Sequence, residues 1–326
     1  MEQRHLGRTG LRVSRLGLGT LTWGRDTGEL DAADQLKAFW EAGGTLVDTA
    51  DVYGDGGAEY LLGRLVEDLV PRSDLVIATK AGSVPDPYRR FDASRGHLLA
   101  ALDASLQRLG TDYVDLWQVH AYDTATPLDE TLQALDLAVS SGRARYVGVS
   151  NFCGWQLAKA ATWQQAVPTR TPLASTQMEY SLLQRGIERE VLPAALDLGV
   201  GLLPSSPLGR GVLTGKYRHG TPQDSRGGSE DMAPFVAPYL DETARLIVDA
   251  LAIAADGLAA SPLQVALAWV RDRPGVTAPI VGARNAQQLA AALSVETLSL
   301  PDEICQALDD VSAPVHRYPD HDWSTL

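Results

Sequence analysis

The chain has 326 residues, 45% of them apolar, and it carries a formal net charge of −13 at pH 7. This length and apolar content are ample for a sizeable core, and they allow either one large barrel or two ordinary domains. The acidic balance argues against nucleic acid and anionic membranes as partners, because both select basic surfaces.

The cysteine usage and the N-terminus indicate a reduced, cytoplasmic protein. Cys153 and Cys305 lie far apart and show no metal-type spacing, so we expect free thiols. The first ten residues, MEQRHLGRTG, are charged and contain no apolar stretch, which predicts no secretory signal. No apolar run approaches the ~20 residues that a membrane helix needs.

The first residues of the chain predict a β-hairpin. Short strands around Arg4 and Val13 flank the glycine-containing segment GRTG, which suits a tight connection. We expect this hairpin to close the bottom of a barrel.

Beyond the hairpin, short β-rich apolar runs alternate with longer runs of helical periodicity. Pro262 after Ser261 marks one helix start, and Gly110 marks the end of another helix. The predicted strands are 16–20, 46–50, 75–80, 113–120, 146–150, 173–179, 201–206 and 278–283. The predicted helices are 31–43, 57–70, 94–110, 128–141, 154–166, 188–199, 241–256 with 261–273, and 285–293.

Eight βα units in this length predict an α/β fold of the (β/α)8 TIM-barrel type. A doubly wound sheet is the alternative, but it should carry a glycine-rich phosphate turn after its first strand. The nearest candidate, GLGTLT at residues 17–22, lacks the last glycine and does not open a helix. We therefore predict a single barrel domain over residues 1–326. Residues 216–240, rich in Gly, Pro, Asp and Ser, read as a long loop over the site.

Four polar residues end neighbouring strands of the predicted barrel. Asp48 ends the second strand with Tyr53 just beyond it, Lys80 ends the third, and His120 ends the fourth. Each residue alone has an ordinary explanation, as a turn cap, a packed aromatic, a solvated lysine or a hydrogen-bonded histidine. Because the carboxyl ends of barrel strands meet at one rim, their convergence favours a catalytic site.

Acid–base chemistry gives these four residues a common purpose. A phenol has a pKa of about 10, and a nearby ammonium stabilises phenolate and lowers that pKa. Asp48 can hold Lys80 in place, so that Tyr53 becomes a proton donor to a carbonyl oxygen. Neutral His120 can donate a second hydrogen bond to the same oxygen. The side chains supply no hydride, and a nicotinamide cofactor would provide it.

Seven segments carry a resemblance to a known family and occur in family order over nearly the whole chain. They are GGTLVDTADVYG, LVIATKAG, YVDLWQVH, YVGVSNF, TQMEYSLLQR, SPLGRGVLTGKY and PIVGARNAQQL. The sequence thus resembles the aldo-keto reductase superfamily, in particular its bacterial, potassium-channel-β-like branch with longer loops. The resemblance implies a (β/α)8 barrel that reduces aldehydes or ketones with NADPH, usually without a metal. Asp48, Tyr53, Lys80 and His120 match the catalytic tetrad of the family.

The resemblance also implies a set of NADPH-binding residues that hold the nicotinamide carboxamide, the pyrophosphate and the adenosine phosphate. A guanidinium at Arg284 beside a helix N-terminus suits a 2′-phosphate, which favours NADPH over NADH. The implied residues are Thr20, Asp48, Ser150, Asn151, Gln177, Ser205, Ser206, Pro207, Leu208, Gly209, Arg210, Lys216, Arg226, Gly282, Arg284 and Gln288. For Ser150, Asn151 and Gln177, ordinary turn residues are the alternative.

Two positions depart from the family pattern. Many members end strand seven with an aromatic residue that stacks on the nicotinamide, whereas this chain has Ser205. Many members also read the adenine with Glu-Asn at the positions occupied here by Ala291 and Ala292. Ring support must therefore come from elsewhere, and adenine contacts are expected to be weaker.

Several aromatic residues after the strands are candidates for the substrate pocket, with packing against the barrel as the alternative. They are Trp23, Tyr88, Phe91, Tyr122 and Trp323. His316 and His321 in the C-terminal tail suggest metal spacing only faintly, and we expect a solvated tail and no metal.

The leading hypothesis is an NADPH-dependent carbonyl reductase acting on a small molecule, with Tyr53 as general acid. An NADP(H)-binding redox sensor or regulatory subunit with little turnover is the alternative. A metal-dependent barrel hydrolase is disfavoured, because among six histidines only His120 ends a strand. The sequence names no substrate and leaves monomer and homo-oligomer open.

Overall fold

The N-terminal hairpin is present and packs into one end of a barrel. In the computed structural model, which describes residues 1–86, 88–223, 225–230 and 232–314, strand β1 (Gln3–His5) pairs antiparallel with β2 (Arg12–Ser14). Leu6 and Val13 are fully buried against inward-facing side chains such as Leu46 and Leu116. The hairpin therefore plugs the barrel with apolar surface.

Eight parallel strands form the barrel itself. Thr277 N donates to Leu202 O at 2.8 Å, which brings the two ends of the sheet together and nearly closes it. The strands are β3 (Gly17–Gly19), β4 (Leu46–Asp48), β5 (Val76–Ala81), β6 (Val114–Val119), β7 (Ala144–Ser150), β8 (Leu173–Glu179), β9 (Gly201–Ser205) and β10 (Ile280–Gly282), in the order β10-β3-β4-β5-β6-β7-β8-β9. The predicted (β/α)8 fold with an N-terminal hairpin is confirmed.

The helices alternate with these strands around the outside. They are α1 (Glu29–Glu41), α2 (Gly57–Leu65), α3 (Arg95–Leu109), α4 (Leu128–Ser140), α5 (Gly154–Gln165), α6 (Val191–Leu198), α7 (Ala233–Val236), α8 (Glu242–Gly257), α9 (Pro262–Arg271), α10 (Ala286–Leu293) and α11 (Asp302–Val311). In α9, Ser261 and Gln264 form a reciprocal capping box and Pro262 takes the first turn, as local preference dictates.

Some predicted boundaries are wrong for local reasons. Helix 57–70 ends early at Leu65, because Val66 adopts an extended conformation. The strand predicted to reach residue 20 ends at Gly19, although Thr20 N still bonds to Asp48 O at 3.0 Å. Two helices were not predicted: α7 inside the long loop 216–240, and α11 near the C-terminus.

Among the described residues, no single helix has the length and apolarity needed to cross a membrane. Helices α8 and α9 meet the length and composition criteria only as a pair, and the pair is bent by 99°.

Candidate active site

A buried ion pair lies at the rim formed by β4 and β5. Lys80 Nζ lies 2.6 Å from Asp48 Oδ2 and also donates to Thr49 O at 2.9 Å. Asp48 Oδ1 accepts from Gln177 Nε2 at 2.9 Å. The Lys80 side chain is 0% exposed and that of Asp48 is 3% exposed. Because burying an unpaired charge is costly, these contacts fix both side chains in place.

The phenol and the imidazole of the predicted tetrad lie beside this pair. Lys80 Nζ lies 5.2 Å from the centroid of the Tyr53 ring, which follows β4 in a short 3₁₀ turn. The rings of Tyr53 and His120 meet edge to face, with centroids 6.0 Å apart and an interplanar angle of 77°. The structure thus brings all four predicted residues together.

The protonation state of Tyr53 depends on two opposing effects. Burial raises the pKa of the phenol above its ordinary value, and the Lys80 ammonium offsets this only in part. The net lowering of this pKa expected from the sequence is therefore wrong, because desolvation outweighs the nearby charge. Burial also works to lower the pKa of Lys80, but the Asp48 carboxylate and Tyr53 raise it overall. At neutral pH the site therefore holds an ammonium beside a protonated phenol.

His120 is neutral in this environment. Burial, with a further contribution from the positive charge of Lys80, lowers the pKa of its imidazole to about 3. Its backbone is held at both ends, since its N–H donates to Ala81 O at 2.8 Å and its carbonyl accepts from Asn151 Nδ2 at 2.9 Å. Its Nδ1 is buried and has no hydrogen-bond partner among the residues that the structure describes. A neutral imidazole can therefore donate from one nitrogen without releasing a proton.

Tyr53 and His120 open into a cleft of about 670 Å³ along the carboxyl ends of the strands. This volume lies within the range of small-molecule and cofactor sites. Every cofactor-binding residue implied by the sequence lines the cleft except Gly209. Gly209 has a φ of +54°, and a Cβ there would lie 2.7 Å from Leu183 Cδ1, so glycine lets the neighbouring loop fold.

One end of the cleft offers neutral polar groups next to the tetrad. Asn151 has a φ of +55°, its N–H donates to Gln177 O at 3.0 Å, and its Nδ2 donates to Ser150 Oγ at 3.1 Å. These amides and the hydroxyl suit an uncharged polar group such as a carboxamide.

The cleft is also lined by cationic side chains. Burial lowers the pKa of Arg226, and the positive charges of Arg284 and Arg25 lower it further. Arg226, Arg284 and Lys216 all line the cleft. Guanidinium groups that repel one another at a partly buried site suit a phosphate, which would relieve that repulsion. The donor set of the cleft therefore fits a phosphorylated dinucleotide.

The aromatic residues predicted to line the substrate pocket do not line the cleft. Trp23 is fully buried and donates Nε1–H to Gln35 Oε1 at 3.2 Å, whereas Tyr88 is 98% exposed. Tyr122 packs edge to face on the rings of Phe152 and Trp155. None of Trp23, Tyr88 and Tyr122 lines the cleft. Phe91 pairs with Ser83 beyond β5 and also lies outside the lining, while Trp323, His316 and His321 lie outside the described residues.

Among the cleft-lining side chains that the sequence did not predict are Glu179 and Phe235. Glu179, at the end of β8, forms a bidentate ion pair with Arg210. Phe235 comes from α7, within a segment that had no apolar period to mark it. Ser205, Ala291 and Ala292, the family departures, all line the cleft as well.

Comparison with known proteins decides the family. The model of the aldo/keto reductase family matches residues 15–313. This chain belongs to the aldo/keto reductase family. Family membership supports an oxidoreductase that acts on carbonyl compounds in general. Within the described part of this aldo/keto reductase, no group of three or more His, Cys, Asp or Glu side chains is arranged to hold a metal.

Three proteins similar to this aldo/keto reductase carry different functional names. It is 38% identical over 322 residues to the uncharacterized oxidoreductase YrpG of Bacillus subtilis, covering 95% of this chain and 96% of the relative. It is 36% identical over 330 residues to a probable voltage-gated potassium channel subunit beta of Oryza sativa, covering 98% of each. It is 37% identical over 302 residues to the L-glyceraldehyde 3-phosphate reductase of Escherichia coli, covering 89% of this chain and 86% of the relative.

Proposed function

We propose that this aldo/keto reductase reduces aldehydes or ketones to alcohols with NADPH, and that Tyr53 donates the proton. One observation carries the proposal: a buried ammonium, Lys80, is locked to Asp48 beside a protonated phenol that opens into a cleft. This arrangement suits general-acid catalysis at a carbonyl oxygen.

Each of the four tetrad side chains has its own role in this reaction. Tyr53 hydrogen-bonds the carbonyl oxygen and gives up its proton as negative charge develops there. The Lys80 ammonium, 5.2 Å from the Tyr53 ring centre, stabilises the resulting phenolate. Asp48 keeps Lys80 charged and oriented, and neutral His120 donates a hydrogen bond that orients the same oxygen. NADPH, when bound, supplies the hydride.

The shape and charge of the cleft support NADPH as the cofactor. Ser150, Asn151 and Gln177 would hold the nicotinamide carboxamide next to the tetrad. Arg226 and Arg284, whose charges act on one another, would bind the 2′-phosphate that distinguishes NADPH from NADH.

We also propose that residues 1–326 act as one domain and that segment 216–240 covers the bound cofactor. Lys216, Arg226 and Phe235 support this, because all three belong to that segment and line the cleft.

The proposal is tested by turnover. Purified protein should oxidise NADPH when a panel of aliphatic and aromatic aldehydes is supplied, and it should do so more slowly with NADH. No oxidation across the panel, from protein shown to be folded, would overturn the assignment as an enzyme.

A second candidate function is a regulatory subunit that binds NADP(H) with little turnover. The relatives named as probable potassium channel subunits beta motivate this candidate. Tight NADPH binding together with negligible turnover on every carbonyl tested would favour it over the reductase.

A further inference from the structure

Three aromatic rings appear among the described residues that line the cleft: Tyr53, His120 and Phe235. The first two belong to the proposed reacting groups. Phe235 lies on α7 within the segment 216–240. Ser205, at the end of β9, presents only a hydroxyl to the cleft.

Phe235 is held in place by Arg210. The guanidinium carbon of Arg210 lies 3.9 Å from the centroid of the Phe235 ring, and its Nη1 donates to the carbonyl oxygen of Phe235. The same guanidinium lies 4.9 Å from the ring centre of Tyr239, in the next turn of this segment. Cation–π contacts of this kind orient the ring as well as attract it.

Arg210 is in turn fixed by Glu179. Its Nε donates to Glu179 Oε1 at 3.0 Å and its Nη2 donates to Glu179 Oε2 at 2.6 Å. Such a bidentate pair sets the guanidinium plane as well as its position. The Glu179 carboxylate also neutralises the charge of Arg210. The resemblance implies that Arg210 binds the cofactor, but its guanidinium already contacts a carboxylate and two aromatic rings.

Glu179 links Arg210 and Phe235 to the part of the cleft next to Asp48. Residues two apart on a strand face the same side, so Glu179 follows Gln177 along the cleft face of β8. Gln177 bonds Asp48 of the tetrad, and Glu179 pairs in register with Ser205 of β9. The chain of contacts from Glu179 through Arg210 to Phe235 therefore starts beside the catalytic residues.

We propose that Phe235 supplies the flat apolar surface against which the nicotinamide ring of NADPH rests, and that Glu179 and Arg210 are positioning residues for that ring. The inference rests on the proposed function, because it assumes the same cofactor. A flat heterocycle packs well on an aromatic face, and the adjoining strand end, with Ser205, provides none.

Binding measurements without a carbonyl substrate test the ring itself. Phe235→Leu should weaken NADPH binding about tenfold in fluorescence titrations, while Phe235→Tyr, which keeps the ring, should stay within about twofold of the parent. Adenosine 2′,5′-bisphosphate, which lacks nicotinamide, should bind Phe235→Leu as it binds the parent. Leu240→Ala, an exposed change in the same segment, serves as the control and should alter neither affinity.

Two results would overturn this inference while leaving the proposed function standing. One is an unchanged NADPH affinity in Phe235→Leu. The other is an equal loss for NADPH and for adenosine 2′,5′-bisphosphate, which would place the ring away from the nicotinamide. A parent protein that binds no NADPH at all would instead reject the proposed function together with this inference.

A double-mutant cycle tests the positioning residues. Glu179→Gln should weaken NADPH binding, and the double variant with Phe235→Leu should be little worse than Phe235→Leu alone, because both changes remove the same contact. Fully additive losses in the double variant would show that Glu179 does not act through Phe235.

Discussion

The Lys80 ammonium lies 5.2 Å from the centre of the Tyr53 ring, inside a barrel rim where its only described carboxylate partner, Asp48, lies 2.6 Å away. The burial that raises the pKa of the phenol also removes the water that would screen the ammonium. The phenol therefore keeps its proton at neutral pH.

Lys80→Met should destabilise the protein markedly. Among the described residues, the change leaves the buried Asp48 carboxylate with only the Gln177 amide to compensate its charge, and breaking a buried pair costs about 3–5 kcal/mol. Urea denaturation at pH 7 measures this loss. Lys37→Met is the matched control, since Lys37 is exposed and lies 3.9 Å from Glu41, and we expect a change below about 0.5 kcal/mol there. Equal effects of the two substitutions would contradict the tight pairing.

Asp51→Asn should stabilise the protein at pH 8. Burial and the negative charge of Glu59 raise the pKa of Asp51 to about 7, although Arg108 and Lys80 act to lower it. The folded protein thus holds this proton up to about pH 7, whereas the unfolded chain loses it near pH 4, so stability falls as the pH rises through that window.

Replacing the Asp51 carboxylate with an amide abolishes this loss of stability at high pH. The free energy of unfolding of Asp51→Asn at pH 8 should exceed that of the parent by about 1–3 kcal/mol, and the two should converge near pH 4. Asp34→Asn, the same change on the exposed face of α1, is the matched control. Parallel pH curves for the parent and Asp51→Asn would show that Asp51 titrates normally.

His120 should remain neutral throughout the physiological pH range. Burial lowers the pKa of its imidazole to about 3, so nitrogen NMR should show no titration of this ring between pH 5 and pH 8. A His120 transition near pH 6.5 would mean that the ring is solvated.

Arg284→Gln should reduce the preference for NADPH. Loss of the guanidinium would remove the charge-assisted contact that we propose for the 2′-phosphate, so NADPH binding should weaken by about tenfold while NADH binding changes little. Arg245→Gln, an exposed change on α8, is the control and should affect neither. An equal loss for both cofactors would show that Arg284 does not distinguish them.

The sequence predicts the barrel, and the meeting of Asp48, Tyr53, Lys80 and His120 at one rim, because both depend on strong, local signals. Apolar strands that end on Asp48, Lys80 and His120 are visible as such, and a parallel barrel forces their ends onto one rim. The exact end of a strand is harder to predict from sequence. Thr20, for example, lies beyond the end of β3 but still donates a backbone hydrogen bond to the neighbouring strand.

Features that depend on distant contacts could not be predicted in the same way. The pairing of Glu179 with Arg210 joins residues 31 positions apart. Phe235 of α7 packs on the Arg210 guanidinium, although its segment has no helical periodicity in the sequence. Trp23 was expected in the substrate pocket, yet its indole N–H is satisfied by Gln35 within the core. The sign of the Tyr53 pKa shift required a knowledge of burial that only the fold supplies.

The proton-donor role of Tyr53 is tested most directly by Tyr53→Phe, compared with the parent in single-turnover oxidation of bound NADPH by an aldehyde at pH 7. We expect a rate lower by about 10²- to 10⁴-fold, with the dissociation constant for NADPH nearly unchanged, because only the proton donor has been removed. A Tyr53→Phe protein that reduces the aldehyde at the parent rate would contradict it.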